Sequence, residues 1–286
     1  MPVLFCFGLG YTAQVLARRL HAAGWEVRGT TRDPAKAARL EAQGWRAFPF
    51  QRGQPLADPA SALAGVTHLL VSIAPDEEGD PVLAAHGADL ARLKTLAWAG
   101  YLGTTGVYGD RGGAWVDEED APAPDLGRAA RRLEAERAWL ASGLKAHVFR
   151  LAGIYGPGRN QIASLRNGTA RRIVKPGQVF SRIHVEDIAT VLEASMARPN
   201  PGRIYNVCDD EPAPPQDPVT FAAGLLGVEP PPEQDFATAE LSPMARSFYA
   251  DNRRVRNARI KEELGVQLAF PTYREGLRAL LAAKKT

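Results

Sequence analysis

Cysteine is scarce. The 286-residue chain holds two, Cys6 and Cys208. Both lie in apolar runs that read as buried strands. No Cys-x-x-Cys motif or Cys/His spacing suits zinc, so neither a structural disulfide nor a metal site is expected. Without a disulfide framework, a reducing cytoplasm is the expected compartment. No uninterrupted apolar run reaches the roughly 18 residues that a membrane-spanning helix needs. The first strand starts at Val3, so no secretory leader is expected. Charge of one sign is missing too. The formal net charge is +3, and the pairs Arg18-Arg19, Arg131-Arg132, Arg171-Arg172 and Arg253-Arg254 are scattered. A basic stripe with stacking aromatics, as single-stranded nucleic acid requires, is absent. Nucleic acid and membrane are therefore not expected partners, and a mild basic excess fits a small anionic ligand.

What is present is an ordinary globular balance, 45% hydrophobic and 23% charged. The length suits one large domain or a domain with a smaller lobe. Val3 to Phe7 is a short, wholly apolar run of the kind found in a parallel strand covered on both faces. Gly8-Leu-Gly10 follows, then a helical apolar period from Thr12 to Ala23, stopped by Gly24. Strands are expected at Trp25 to Gly29, Trp45 to Phe50, Thr67 to Ile73, Trp98 to Leu102 and Ala146 to Leu151. Helices are expected between them, among them Leu83 to Leu96 and Arg128 to Leu140. Pro212 to Pro232 reads as loop, and Arg254 to Leu264 and Tyr273 to Ala283 as two late helices. Alternating strands and helices imply right-handed βαβ units and a parallel sheet. The expected fold is α/β: a Rossmann-type, doubly wound parallel sheet with a smaller C-terminal substrate lobe. Residues 1–155, joined by 181–208, would form the core, and 156–180 with 209–286 the lobe. Ligands of such sheets sit beyond the carboxyl ends of the strands, near Gly8, Thr30, Ser72, Thr104 and Leu151.

Gly8-Leu-Gly10-Tyr-Thr-Ala13 matches G-x-G-x-x-A between a strand and a helix. The first glycine permits the tight turn, the second lets backbone approach a pyrophosphate, and the small third residue lets helix and strand pack closely. The helix start supplies free N–H groups and a favourable dipole. Gly8, Gly10, Tyr11, Thr12 and Ala13, with Thr30 and Ser72, are therefore expected to hold a dinucleotide. Folds that prefer NAD place an acid at the end of the second strand. Here that strand ends on neutral Thr30, and Arg32 follows. A guanidinium suits a 2′-phosphate, so NADP is the expected cofactor and NAD the alternative. Against this, Arg32 is also read as a surface arginine paired with Asp33.

The chain resembles the extended short-chain dehydrogenase/reductases of the NAD(P)-dependent epimerase/dehydratase type over nearly its whole length. The markers are Thr104-Thr-Gly-Val-Tyr-Gly109, Arg150-Leu-Ala-Gly-Ile-Tyr-Gly-Pro157, Ile183-His-Val-Glu-Asp187 and Tyr205-Asn-Val207. Phe7 stands where the usual G-x-x-G-x-x-G loop has its first glycine, the mark of an atypical subgroup. The resemblance implies a catalytic Ser/Thr four residues before the tyrosine of the Val-Tyr-Gly motif, which selects Thr104. It also implies a Tyr-x-x-x-Lys pair, tyrosine as acid/base and lysine on the nicotinamide ribose. Aligned on Leu133-Glu-Ala-Glu136, that register holds Arg128 and Arg132. An arginine does not deprotonate usefully. Arg132 is a candidate for the ribose hydroxyls; alternatively both arginines belong to a solvated face, pairing with Glu134 and Glu136.

Two groups are candidate substitute acids. Tyr108 lies one strand end from Thr104, with packing in the turn as its alternative. His184 is the other, as histidine is the side chain whose ordinary charge change falls nearest neutrality, but the Ile-His-Val-x-Asp element is mostly architectural in the family. Arg159, Asn160 and Arg166 are candidate contacts for an anionic or sugar-like substrate. The expected function is an NAD(P)-dependent oxidoreductase or epimerase/dehydratase-like protein with a remodelled acid/base, acting on a small carbonyl or sugar-type molecule. The alternative is a non-catalytic NADP(H)-binding sensor or scaffold. A homodimer is open.

Overall fold

The computed structural model describes residues 1–125 and 127–283. In chain order it contains β1 (Val3–Phe7), α1 (Tyr11–Ala22), β2 (Glu26–Thr31), α2 (Pro34–Glu41), β3 (Arg46–Pro49), α3 (Pro59–Leu63), β4 (His68–Val71), α4 (Pro81–Ala91) and β5 (Trp98–Thr104). A 3-10 turn at Thr105–Tyr108 follows, then β6 (Trp115–Val116), α5 (Arg128–Ala141), β7 (Ala146–Leu151), β8 (Gly153–Tyr155), α6 (Gln161–Arg166), β9 (Arg172–Val174), β10 (Arg182–His184), α7 (Val185–Ala197) and β11 (Ile204–Val207). The chain ends with α8 (Asp217–Leu226), β12 (Glu233–Asp235), α9 (Pro243–Phe248), β13 (Arg254–Val255), α10 (Ala258–Leu264) and α11 (Tyr273–Ala282).

Seven strands form one sheet in the order β11-β7-β5-β4-β1-β2-β3. β1 pairs in parallel with both β2 and β4, so the connection order reverses at β1. Such a reversal opens a crevice at the carboxyl end of the strand. All five residues of β1 are buried, which explains its unbroken apolar run. Helices pack through periodic apolar faces, as α1 does with Val15, Leu16 and Leu20. α2 and α4 start on Asp33 and Asp80, whose carboxylates accept first-turn N–H groups, with proline next.

The chain divides into two compact units. The first comprises Met1–Thr104, Asp125–Arg150 and Ala189–Tyr205; the second comprises Thr105–Pro124, Leu151–Ile188 and Asn206–Thr286. Residues 105–124 and 181–188 group with the second unit. β6 pairs with β13, and β10 with β8, through partners remote in sequence. The core of the first unit gathers Phe5, Phe7, Val71, Tyr101 and Trp139. That of the second gathers Tyr155, Ile162, Ala222, Tyr273 and Leu277. No helix among the described residues is long and apolar enough to cross a membrane.

Three local expectations need correction. Pro212 to Pro232 is not all loop, since α8 runs through it. Pro218 sits in the first turn, where a missing N–H costs nothing, and left-handed Gly227 closes the helix. Only the later part of Arg254 to Leu264 is helical, because Arg254 and Val255 are drawn into β13. The helix expected at Leu83 to Leu96 is α4, which starts earlier on its Asp80 cap and ends at Ala91.

Within the first unit, α5 is locked to β7 by Glu136 and Arg150, each 2% exposed. Arg150 donates twice to the Glu136 carboxylate, at 2.6 and 3.1 Å. Removing one partner of such a pair leaves a buried charge, which costs about 3–5 kcal/mol. Glu136→Ala should show that loss in urea unfolding, and Glu136→Leu with Arg150→Met should recover most of it. A loss below about 1 kcal/mol in the single variant would show that the pair does not hold α5.

Candidate functional site

The glycine loop of the first unit is built by three strands. Gly8 leaves β1 at φ +90°. Its N–H donates to the Thr30 hydroxyl at 2.8 Å, and the next N–H, of Leu9, donates to the Thr30 carbonyl at 2.9 Å. From the other side, the Ser72 N–H donates to the Phe7 carbonyl at 2.9 Å. The loop is thus pinned to the end of β2 and to the residue after β4. Thr30, read as a cofactor contact, is 1% exposed and its hydroxyl serves the loop.

The two glycines answer different demands. A Cβ on Gly8 would sit 2.9 Å from Ile73 Cγ1, at a φ that side chains rarely adopt. Gly10 has φ −78° and ψ −167°, open to any residue. A Cβ there would meet only Ser72 Oγ, at an ordinary 3.6 Å. The protein's own packing does not require a glycine at position 10. Gly10 is the N-cap of α1, yet no side chain caps that end and no acid lies in its first turn. Tyr11 is half-buried there, and Thr12 and Ala13 are buried. Such a helix start favours an anion. The sequence reading missed Gly29, where a Cβ would meet the Cys6 carbonyl at 2.6 Å and Leu9 Cγ at 2.7 Å. Its missing side chain lets Leu9 lie on β2.

Beyond β2, Arg32 is exposed and makes no ion pair or hydrogen bond with the described residues. Its expected alternative partner is otherwise engaged. Asp33 accepts the Ala35 and Lys36 N–H groups at the start of α2 and lies 3.9 Å from Arg39. Lys36, one turn along, is half-buried; burial pulls its ammonium below the ordinary lysine range, with the nearby Arg39 charge adding to it.

At the end of β5, Thr104 is half-buried. On α5, Arg128 is exposed, whereas Arg132 leans on β5. Arg132 donates to the Leu102 carbonyl, and its guanidinium lies 5.6 Å over the Tyr101 ring. The expected pairing of Arg132 with Glu136 is not what forms, since that carboxylate faces Arg150.

Other candidates belong to the second unit. Tyr108 is fully buried and its hydroxyl donates to Asn206 Oδ1 at 2.8 Å. The Asn206 N–H in turn donates to Glu118 at 2.7 Å, a carboxylate pushed up by burial. This geometry favours the packing alternative for Tyr108. Asn160 spends its side chain on structure, capping α6 through Ala163 N–H and donating to the Gly156 carbonyl at 2.7 Å. Arg159 and Arg166 are exposed, without ion pairs among the described residues. His184 packs against Phe270 and Tyr155, with ring centroids 4.1 and 5.1 Å away. Asp187 accepts the Ala269 and Phe270 N–H groups. Among the described residues, no cluster of three or more His, Cys, Asp or Glu is placed to hold a metal ion.

Comparison with known proteins agrees with this architecture. No family model matches the chain. Protein YeeZ of Escherichia coli K12 is 28% identical over 279 residues, covering 92% of this chain and 94% of that one. A solved structure of a functionally unknown conserved protein from Silicibacter pomeroyi DSS is 56% identical, covers all of both chains and superposes with a TM-score of 0.93. A structure described as a putative NAD-dependent epimerase/dehydratase from Methylobacillus flagellatus is 26% identical. It covers 100% of this chain and 99% of its own, with a TM-score of 0.71.

The contrast between the two loop glycines is measurable without any ligand. Gly8→Ala should cost the free protein about 1–3 kcal/mol through backbone strain. Gly10→Ser should leave it within about 0.5 kcal/mol of the parent, since serine is at least as good an N-cap as glycine. Chemical denaturation of the two variants reads both. Equal losses would mean that position 10 is constrained by the fold.

Proposed function

We propose that the chain is an extended short-chain dehydrogenase/reductase of the NAD-dependent epimerase/dehydratase type and that it binds a nicotinamide dinucleotide, NADP(H) in preference to NAD(H), on the β1–α1 loop. We further propose that it acts with that cofactor on a small carbonyl or sugar-type substrate. The observation that carries this reading is Gly10. A glycine that its own backbone and neighbours do not need, at a bare helix start, is accounted for by a ligand whose phosphates approach closely. Gly8 and Gly10, with the N–H groups opening α1, would hold the pyrophosphate, and Ser72 lies beside Gly10. Arg32 would face the 2′-phosphate, with no protein carboxylate competing for it. The bound cofactor supplies a hydride donor or acceptor.

The chain's own part in the chemistry is limited by its acids. Thr104 would hydrogen-bond the reacting oxygen and hold it in place. The register that carries Tyr and Lys in the family holds Arg128 and Arg132, and arginine does not give up its proton at working pH. Tyr108 is committed to Asn206 and His184 is packed between two rings. Proton exchange then falls to water or to the substrate's own hydroxyl. General acid/base help is typically worth about 10²–10⁴-fold, so turnover would be slow but present. A non-catalytic NADP(H)-binding sensor is the second reading, favoured by the two arginines in that register.

Calorimetric titration tests the cofactor assignment. Gly10→Ser should weaken NADPH binding at least tenfold while the fold is kept. Arg32→Ala should weaken NADPH by one to two decades more than NADH, as expected for a charge-assisted contact worth about 1.5–3 kcal/mol. Equal loss for both cofactors would remove Arg32 from the site.

Activity decides between enzyme and sensor. In an NADPH-linked screen of carbonyl compounds and sugar nucleotides, the parent should turn over at least one substrate. Thr104→Ala should lower that rate by an order of magnitude or more through loss of a transition-state hydrogen bond. NADPH binding without turnover across the screen would favour the sensor.

A further inference from the structure

Buried charge is handled differently in the two units. Arg150 of the first unit faces a carboxylate, as described above. Arg182, the first residue of β10 in the second unit, is 8% exposed and forms no ion pair among the described residues. Its Nη1 donates to two neutral acceptors, the Phe180 and Ala213 carbonyls, at 2.8 and 3.2 Å. No ion pair forms on it among the described residues, and its Nε and Nη2 donate to none of them. Tyrosines surround it. The Tyr273 ring lies 6.0 Å from the guanidinium carbon, and Tyr155 and Tyr249 interact with it electrostatically. Tyr249 is half-buried and stacks on Phe236 at 5.0 Å, its edge meeting Phe180 at 5.3 Å.

Asp209 is the carboxylate that acts most strongly on Arg182. It is 1% exposed; one oxygen accepts the Glu211 N–H at 3.3 Å, and Oδ2 has no hydrogen-bond partner. Burial pushes its carboxyl up to about 8, against the opposing pull of Arg182. Burial thus favours its neutral form, and it makes no ion pair with Arg182 among the described residues. Burial lowers the Arg182 guanidinium, but arginine remains charged in proteins. A buried cation without a partner is expensive to keep. A guanidinium fork with free donors matches the two oxygens of a carboxylate or phosphate.

We propose that Arg182 anchors an oxyanion-binding subsite in the second unit, taking a carboxylate or phosphate group of a small-molecule ligand, with Asp209, Tyr249 and Tyr273 beside it. That this ligand is the substrate rests on the functional reading above; the anion subsite itself does not. The subsite makes that substrate an acid or a phosphate ester.

The test is anion binding to the whole protein, with and without NADPH. Sulfate stands for the tetrahedral group and malonate for the carboxylate; both are titrated calorimetrically against chloride at matched ionic strength. Arg182→Met should weaken the tighter of the two at least tenfold while NADPH binding is unchanged. Unaltered sulfate and malonate binding in a folded Arg182→Met would overturn the subsite. Failure of the parent to bind NADPH would instead overturn the cofactor reading and leave the subsite standing.

Where Arg182→Met does not fold, Asp209→Asn decides. The charged or titratable groups around Asp209 are Arg182 on β10, Tyr155 on β8, and its chain neighbours Cys208, Asp210 and Glu211. Sulfate keeps its charge between pH 6.5 and 9, whereas Asp209 ionises across that range. Parent and Asp209→Asn should bind sulfate alike at about pH 6.5. At about pH 9 the variant should bind it several-fold more tightly, having no carboxylate to repel it. Identical sulfate affinity for the two proteins at both pH values would overturn the proposal.

Discussion

The first unit depends on how its opening turn is pinned. The Gly8 N–H reaches the Thr30 hydroxyl, the Leu9 N–H reaches the Thr30 carbonyl, and the Ser72 N–H reaches the Phe7 carbonyl. These bonds join the ends of β1, β2 and β4 at the point where the strand order reverses. The path is possible because Gly8 adopts φ +90° and Gly29 leaves room for Leu9. α1 therefore starts in one place and direction, with an uncapped end at the mouth of the sheet. A helix start held rigidly at a strand reversal is a ready site for phosphates before any ligand arrives.

Thr30 shows how one residue serves two physical ends. Rossmann folds that prefer NAD have an acid at the end of the second strand to meet the ribose. Here the position is buried, and its hydroxyl is an acceptor for backbone. No carboxylate stands at the strand end itself, and Arg32 just beyond makes no ion pair with Asp33, which caps α2. The same economy explains why several polar candidates turn inward. Tyr108 and Asn160 satisfy neighbours that would otherwise be buried without partners, and a polar group so engaged has little capacity left for a ligand.

Two of the three buried arginines, Arg150 and Arg182, show how differently a desolvated charge is met. Arg150 meets Glu136 through two bonds, and both desolvated charges are compensated. Arg182 meets carbonyl dipoles and a carboxyl that burial tends to keep protonated. The first arrangement fixes α5, and with it Arg132, against the sheet. The second leaves a buried guanidinium that forms no ion pair among the described residues.

By itself, the sequence determined what periodicity and local backbone chemistry encode. The apolar run Val3 to Phe7, Gly8 and Gly10 before a helix, and a run ending at Leu151 made the Rossmann-type sheet and its loop legible, because those signals are local. The proline-rich stretch around α8 misled, since proline in a first helical turn reads the same as proline in a loop. Only the tertiary structure decided which polar residues are spent. Side chains 98 positions apart meet in Tyr108 and Asn206, and Asp209 and Arg182 share an environment 27 residues apart in number. Burial and partnership are properties of the folded chain, set by long-range packing that a linear pattern does not contain. Thr30 at the loop, the free Arg32 and the unpaired Arg182 therefore acquired their meaning only when the strands came together.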